Sequence, residues 1–159
     1  MIHDAEQPLD PRFVLLQRVV GWYVTAAISL ALIVGSVILL GPRRWYWCLV
    51  IWVLGTVALG WFSYRWPEVE YRHTAYRVDG DGIEIKSGVY WRDLSNVPRS
   101  RIQHTDVAQG PLERKYGLGR LVIYTAGTAH SRVVLPGLAH ETALQIRDHL
   151  LPRESADAV

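Results

Sequence analysis

The sequence predicts a helical hairpin in a membrane, followed by a mainly-β domain that a C-terminal α-helix completes. Three observations in its 159 residues predict this fold. Two apolar runs, 19–40 and 45–62, contain no Asp, Glu, Lys, Arg or His. Residues 66–152 alternate apolar and polar positions between turn residues, which is typical of β-strands. From residue 140 onward, apolar residues recur at the spacing of one helix face.

Both apolar runs are long enough for membrane helices. A helix needs about 20 apolar residues to cross the hydrocarbon layer, and a soluble helix seldom stays apolar on every face. The connection at 41–44 is so short that the two helices must be antiparallel neighbours. The first run exceeds the apolar region of a signal peptide and no A-x-A-like site follows it, so we expect it to be retained. Aromatic residues, which prefer the headgroup level, flank the runs at Trp22, Tyr23, Trp45, Tyr46, Trp61, Tyr64 and Trp66.

The arginines beside the runs predict the orientation of the hairpin. Positive residues favour the cytoplasmic side of a membrane, so both termini are expected in the cytoplasm, and residues 1–18 are expected to form a separate N-terminal cytoplasmic segment. The terminal side carries Arg12, Arg18, Arg65, Arg72 and Arg77, against Arg43 and Arg44 in the connection.

Small residues form one stripe on the first helix. Ala27, Ala31 and Gly35 recur every four residues, and small side chains let another helix approach closely. The neighbour could be the second helix of the same chain or a second copy of the protein.

Short strands are expected after Pro67, which should end the membrane part. Asp79-Gly80-Asp81-Gly82 has the composition of a tight hairpin turn, and the alternation slips near Thr74-Ala75, which suggests a bulge. Asn96-Val97-Pro98 interrupts the pattern. The predicted strands lie at 70–78, 83–89, 101–107, 121–125 and 133–135.

A compact segment at 112–119 and a C-terminal helix at 140–151 complete the domain. Ala143, Ile146 and Leu150 fall on one face of that helix, which must be buried against a sheet. Pro152 should stop the helix, and the tail at 153–159 is expected to be disordered.

Chemical motifs indicate neither catalysis nor metal binding. Cys48 is the only cysteine and lies inside the second run, which excludes a disulfide framework. Asp79-x-Asp81-Gly82 lacks the glutamate of a calcium loop, because Tyr90 stands at its position. His104-x-Asp106 could place two ligands on one strand face, but no further ligand has suitable spacing. Without a G-x-S-x-G or phosphate-loop motif, we predict no enzyme, cofactor or metal site, and no nucleic-acid binding.

Several short motifs in residues 98–138 occur in the order seen in a known family. They are Pro98, Arg101-Ile102-Gln103, the turn at 109–114, Gly117-Leu118, Thr125-Ala126-Gly127 and Pro136-Gly137-Leu138. With them, residues 66–152 resemble the bacterial pleckstrin-homology-like, membrane-flanked domain. The resemblance implies a seven-stranded pleckstrin-homology-like (PH-like) barrel with a C-terminal helix, in a small two-helix protein of the bacterial inner membrane. It implies no biochemical activity, because the family has no agreed one and fold alone is a weak guide to ligands.

Segment 86–120 is locally basic, and we call it the basic segment. It could face anionic lipid or a protein partner. It could also be scattered solvated charge, with Arg101 or Arg114 in a salt bridge to Glu113 or Asp106. Its cations are Lys86, Arg92, Arg99, Arg101, Arg114, Lys115 and Arg120.

These observations predict an integral membrane protein that displays a cytoplasmic PH-like module. The module is expected to act as a non-enzymatic scaffold or protein-interaction domain. The alternative is a sensor of anionic lipid headgroups that uses the basic segment. The expected partners are membrane lipids and either another membrane protein or a second copy of the chain.

Overall fold

The computed structural model describes residues 6–40, 45–126 and 132–150, which form four α-helices and seven β-strands. They belong to two compact units. One unit is Val14–Val69, and the other combines the described residues before Val14 with those after Val69. The predicted connection at 41–44, the turn at Gly127 and the tail at 153–159 lie outside the described residues.

Two long apolar helices, α1 at Arg12–Leu40 and α2 at Trp45–Arg72, form the first unit. Both are long and apolar enough to cross a membrane. Pro67, which the sequence predicts to end the membrane part, does not end the helix, because α2 continues through it. Proline removes one helical hydrogen bond, but Arg18 contacts α2 on both sides of it. The Arg18 guanidinium donates to the Tyr64 carbonyl at 3.2 Å and pairs with Glu68 at 3.4 Å.

The two helices are antiparallel and meet through hydroxyl groups. Thr25 Oγ1 lies 2.9 Å from Ser63 Oγ, and Ser29 Oγ lies 3.1 Å from Thr56 Oγ1. Trp52 Nε1 donates a hydrogen bond to the Ser29 carbonyl at 3.0 Å. Because residues early in α1 pair with residues late in α2, the predicted hairpin is confirmed.

The predicted stripe of small residues does not make the contact within the hairpin. Ala27 and Ala31 are exposed, and a Cβ at Gly35 would meet nothing within 4 Å. This corrects the expectation that the stripe faces the second helix. Its alternative, contact with a second copy, stays a prediction.

A different stripe with the same four-residue spacing faces α2. Thr25 and Ser29 are buried, and a Cβ at Gly21 would lie 3.0 Å from Ser63 Cβ. The physical reason is hydrogen bonding: a hydroxyl in apolar surroundings needs a partner, and α2 offers Ser63 and Thr56 on the facing side.

The second unit contains two antiparallel sheets. The first sheet has the order β1-β2-β3-β4 and the second the order β5-β6-β7. A 3₁₀ turn at Arg99–Arg101 joins the sheets, and helix α3, Pro111–Lys115, lies between β5 and β6. The strands are β1 Gln7–Pro8, β2 Ala75–Val78, β3 Gly82–Ser87, β4 Asp93–Pro98, β5 Ile102–Ala108, β6 Leu118–Thr125 and β7 Arg132–Ala139.

Residues 6–13 belong to the β domain, whereas the sequence predicts residues 1–18 as a separate N-terminal segment. Strand β1 pairs with β2, with Gln7 opposite Tyr76 and Pro8 opposite Ala75. The Asp10 amide donates to the Gly137 carbonyl at 2.8 Å. Phe13 is buried and packs against Gly137, so apolar burial holds this segment in place.

Helix α4, His140–Leu150, packs on β5, β6 and β7. Ala143, Ile146 and Leu150 are buried, which confirms the predicted apolar face. Among the described residues, the largest fully buried side chains are on the first sheet at Ile83, on α4 at Leu150, and on the second sheet at Leu118, Leu121, Ile123, Leu135 and Leu138.

Several strand boundaries differ from the prediction. Residues 70–72 are helical, so β2 begins only at Ala75, and the register shifts lie at 102–104 and 119–121 instead of near Thr74. Strand β4 was not predicted. Val97 is its only buried residue, so its sequence does not alternate between apolar and polar residues. Strand β7 continues through Pro136-Gly137 to Ala139.

Candidate interaction surface

Two cations of the basic segment are held in ion pairs. Lys86 on β3 pairs with Glu6 and lies 3.5 Å from Glu84. The hydrogen bond between Lys86 and Glu6 lowers the pKa of Glu6 and raises the pKa of Lys86. Arg120 on β6 pairs with Glu113 at 3.1 Å. These two cations therefore have structural partners inside the domain.

Helix α3 presents two exposed cations, Arg114 and Lys115. Pro111 stands at the start of the helix, where its fixed φ suits the first turn. The Glu113 carboxylate accepts a hydrogen bond from the Gly110 amide at 2.5 Å and so caps the N-terminus of the helix. Because Glu113 is occupied by Gly110 and Arg120, it does not form the salt bridge with Arg114 that the sequence suggested.

The 3₁₀ turn carries Arg99 and Arg101. The Arg99 amide donates to the Asp81 carbonyl at 2.7 Å, and the Arg101 carbonyl accepts the Ala126 amide at 2.9 Å. The side chain of Arg101 is exposed. Its suggested partner Asp106 instead contacts His104, with Nε2 and Oδ1 2.8 Å apart.

The structure distributes the seven cations over separate places. Strand β4 leads from the Arg92 end of the first sheet to the Arg99 end, and its six residues span roughly 20 Å. Strand β5 likewise separates Arg101 from the α3 end of the second sheet, where Arg114 lies. The basic segment is therefore continuous in sequence but is not one patch.

Exposed aromatic residues lie between β3 and β4, where the sequence pattern indicates no site. Tyr90 is 81% exposed and Trp91 is 90% exposed, beside the exposed Arg92. The sequence predicts a strand that extends to Val89, whereas β3 ends at Ser87. Gly88, two residues before the aromatic pair, was the signal that could have indicated a turn.

His104 and Asp106 do not belong to a metal-ligand cluster. In the described parts of the chain, no group of three or more His, Cys, Asp or Glu side chains could hold an ion. His104 is also stacked on Tyr124, with the ring centroids 6.1 Å apart. The pair is therefore a side-chain contact on the surface of β5.

Comparisons with known proteins match both units. The sequence model of the Bacterial PH domain family matches residues 13–154. The chain is 32% identical over 132 residues to the UPF0699 transmembrane protein YdbS of Bacillus subtilis (strain 168), covering 80% of this chain and 79% of that protein. No solved structure matches.

Proposed function

The chain belongs to the bacterial PH domain family, and from that premise we propose that it is a membrane-anchored, non-enzymatic interaction module. The two apolar helices anchor it in the inner membrane, and the PH-like domain is displayed on the cytoplasmic side. The distribution of arginines around the helices supports this orientation.

The exposed cations of helix α3 carry the proposal. Arg114 and Lys115 are exposed, and none of the described carboxylates lies within ion-pair distance of either side chain. The short helix that carries them is capped at its N-terminus by the hydrogen bond between Glu113 and the Gly110 amide. A short helix that exposes two cations, neither within ion-pair distance of a described carboxylate, suits recognition of an acidic partner.

Site-specific cross-linking in the native membrane tests the protein-interaction role. A photoreactive residue at Lys115 should give a discrete protein adduct, identified by mass spectrometry. The same residue at the exposed Gly80, in the β2–β3 turn, is the control. The yield of this adduct should fall when Arg114 is changed to Ala. A pattern identical at the two positions would contradict the proposal.

Anionic lipid is the second candidate partner, because the same exposed cations would also bind a negative surface. Nanodiscs holding the full chain, with or without phosphatidylglycerol, test it. Hydrogen exchange in 111–115 should slow with anionic lipid and recover as salt shortens the Debye length below about 8 Å. Lys115→Ala should abolish the slower exchange with anionic lipid. Arg132→Ala, which removes an exposed cation outside the basic segment, should not. Equal exchange in both lipids would exclude this role.

A further inference from the structure

The turn between β3 and β4, residues 88–92, ends in large exposed side chains, and we call it the β3–β4 tip. Tyr90 is 81% and Trp91 90% exposed, and Arg92 is exposed beside them. Leu94, at the start of β4, is 60% exposed. Both aromatic side chains combine an apolar ring with a polar group, and Arg92 adds a cation.

The conformation of the tip depends on one glycine. Gly88 has a φ of +104°, and a Cβ at this position would lie 1.8 Å from the Trp91 carbonyl oxygen. The pairing of Ser87 with Asp93 closes the hairpin directly beneath the tip. The chain therefore turns tightly and holds Tyr90 and Trp91 beyond the end of the sheet.

The register of the first sheet places the tip at the sheet end that is connected to the membrane helices. Ala75, at the start of β2, lies opposite both Pro8 and Lys86. Pro8 leads into α1, and only His73 and Thr74 separate α2 from β2. The tip follows Ser87, the last residue of β3 and the neighbour of Lys86, so it shares this end with both chain connections, whereas the Asp79–Gly82 turn lies at the other end.

We propose that the β3–β4 tip inserts Tyr90 and Trp91 into the headgroup region of the bilayer that α1 and α2 cross, with Arg92 at the lipid phosphates. Amphipathic rings prefer this depth, and a cation beside them suits the phosphate layer. The inference goes beyond the proposed function, because it concerns a second attachment to the membrane and uses neither Arg114 nor Lys115.

The size of the tip favours lipid over a protein partner. Tyr and Trp bury roughly 150–250 Å² each, whereas a stable protein interface takes about 800 Å² per partner. Such a small area is sufficient when the chain itself keeps the bilayer close, because tethering raises the effective concentration of the surface. The tip would then fix the orientation of the domain against the membrane.

Spin labelling of the full chain tests the proposal. A nitroxide is placed at Val89→Cys in a Cys48→Ala background, and the matched control carries it at Gly80→Cys, at the opposite end of the sheet. Each protein is reconstituted as one copy per nanodisc of phosphatidylcholine. The ratio of collision rates with dissolved oxygen and with a water-soluble nickel complex reports immersion in lipid.

We expect the ratio at position 89 to exceed that at position 80 several-fold, in neutral lipid and at high salt. Trp91→Ser should bring it down to the control value without changing the melting temperature, because the side chain is 90% exposed. Equal ratios at the two positions would overturn the proposal. So would a high ratio that persists in Trp91→Ser, or one that appears only with two copies per disc, which would indicate contact between copies. Failure here leaves the Lys115 cross-linking result unaffected.

Discussion

Thr25 on α1 and Ser63 on α2 face each other across the helical hairpin, with their hydroxyl oxygens 2.9 Å apart. Thr25 is only 4% exposed. The contact is repeated farther along the helices by Ser29 and Thr56. In a membrane, such hydrogen bonds and close packing replace the hydrophobic effect as the source of helix association.

Removing the Thr25 hydroxyl should weaken the hairpin measurably. Thr25→Val keeps the shape of the side chain, and the lost hydrogen bond is expected to cost about 0.6 kcal/mol, up to about 1.7. A double-mutant cycle with Ser63→Ala, measured by unfolding in detergent, isolates the pair. Ile28→Val, a change at an exposed position, is the control. Strictly additive effects would show that the two hydroxyls do not interact.

Gly21 should tolerate a large side chain far less than Gly35. A Cβ at Gly21 would lie 3.0 Å from Ser63 Cβ, whereas one at Gly35 meets nothing within 4 Å. Gly21→Leu should therefore separate the helices and lower the unfolding midpoint in detergent. Gly35→Leu serves as the matched control. If Gly35→Leu instead disrupts an oligomer seen by cross-linking, the predicted stripe faces a second copy.

Gly137→Ala should destabilise the β domain. The φ of Gly137 is +72°, and a Cβ would lie 2.7 Å from Phe13 Cγ. The left-handed backbone conformation alone costs a residue with a Cβ about 1–2 kcal/mol, and the steric overlap adds to this. The melting temperature should fall, while Gly80→Ala, where a Cβ meets open space, should leave it unchanged. Equal melting temperatures would mean that Phe13 does not pack on this glycine.

The Lys86–Glu6 pair should make the attachment of β1 depend on pH. The pKa of Glu6 lies below its ordinary value of 4.5. The stability that the ionised Glu6 contributes is therefore complete above pH 4.5 and is lost as the pH falls through the lowered pKa. The pKa of Lys86 is raised above 10.5, so its part is complete below that pH and is lost as the pH rises through the raised value. Both groups are exposed, so salt should reduce the effect.

Hydrogen exchange at Gln7 measures this pH dependence. The exchange rate of the parent is compared with the rates of Glu6→Gln and of Glu141→Gln on α4. All three proteins are measured at one acid pH, below the lowered pKa of Glu6, and at neutral pH. Glu6→Gln should raise exchange at neutral pH and match the parent in acid, whereas Glu141→Gln should follow the parent throughout. A parent that exchanges equally fast at both pH values after correction for the intrinsic rate would contradict the prediction.

Both termini are predicted to be cytoplasmic. In a Cys48→Ala background, a cysteine at Gly80 should be protected from an impermeant thiol reagent in intact cells, and a cysteine at Gly41 should react. Both should react after the membrane is opened. The reverse pattern in intact cells would place the PH-like domain outside the cytoplasm and would invert the proposed orientation.

The hairpin and the C-terminal helix could be predicted from the sequence. Charge is missing throughout 19–40 and 45–62, and lipid excludes charge whatever the contacts between helices are. Ala143, Ile146 and Leu150 are spaced for one helix face, and burying that face does not depend on which sheet covers it. Strand β4 could not be predicted, because Val97 is its only buried residue and the strand therefore shows no alternation of apolar and polar residues.

Contacts between distant residues were decided only by the tertiary structure. The stripes Gly21-Thr25-Ser29 and Ala27-Ala31-Gly35 have the same spacing, so periodicity alone could not choose between them. The choice depends on which face meets hydroxyl partners on α2.

The same distinction applies to the candidate surface. The cations of 86–120 are close in sequence, but a strand of six or seven residues moves the chain by roughly 20 Å, so Arg92 and Arg99 lie at opposite ends of one sheet. The position of the β3–β4 tip beside the chain connections follows from the pairing of Ala75 with both Pro8 and Lys86. Local patterns in a sequence report burial and turns, whereas strand register arises from pairing between segments far apart in the chain.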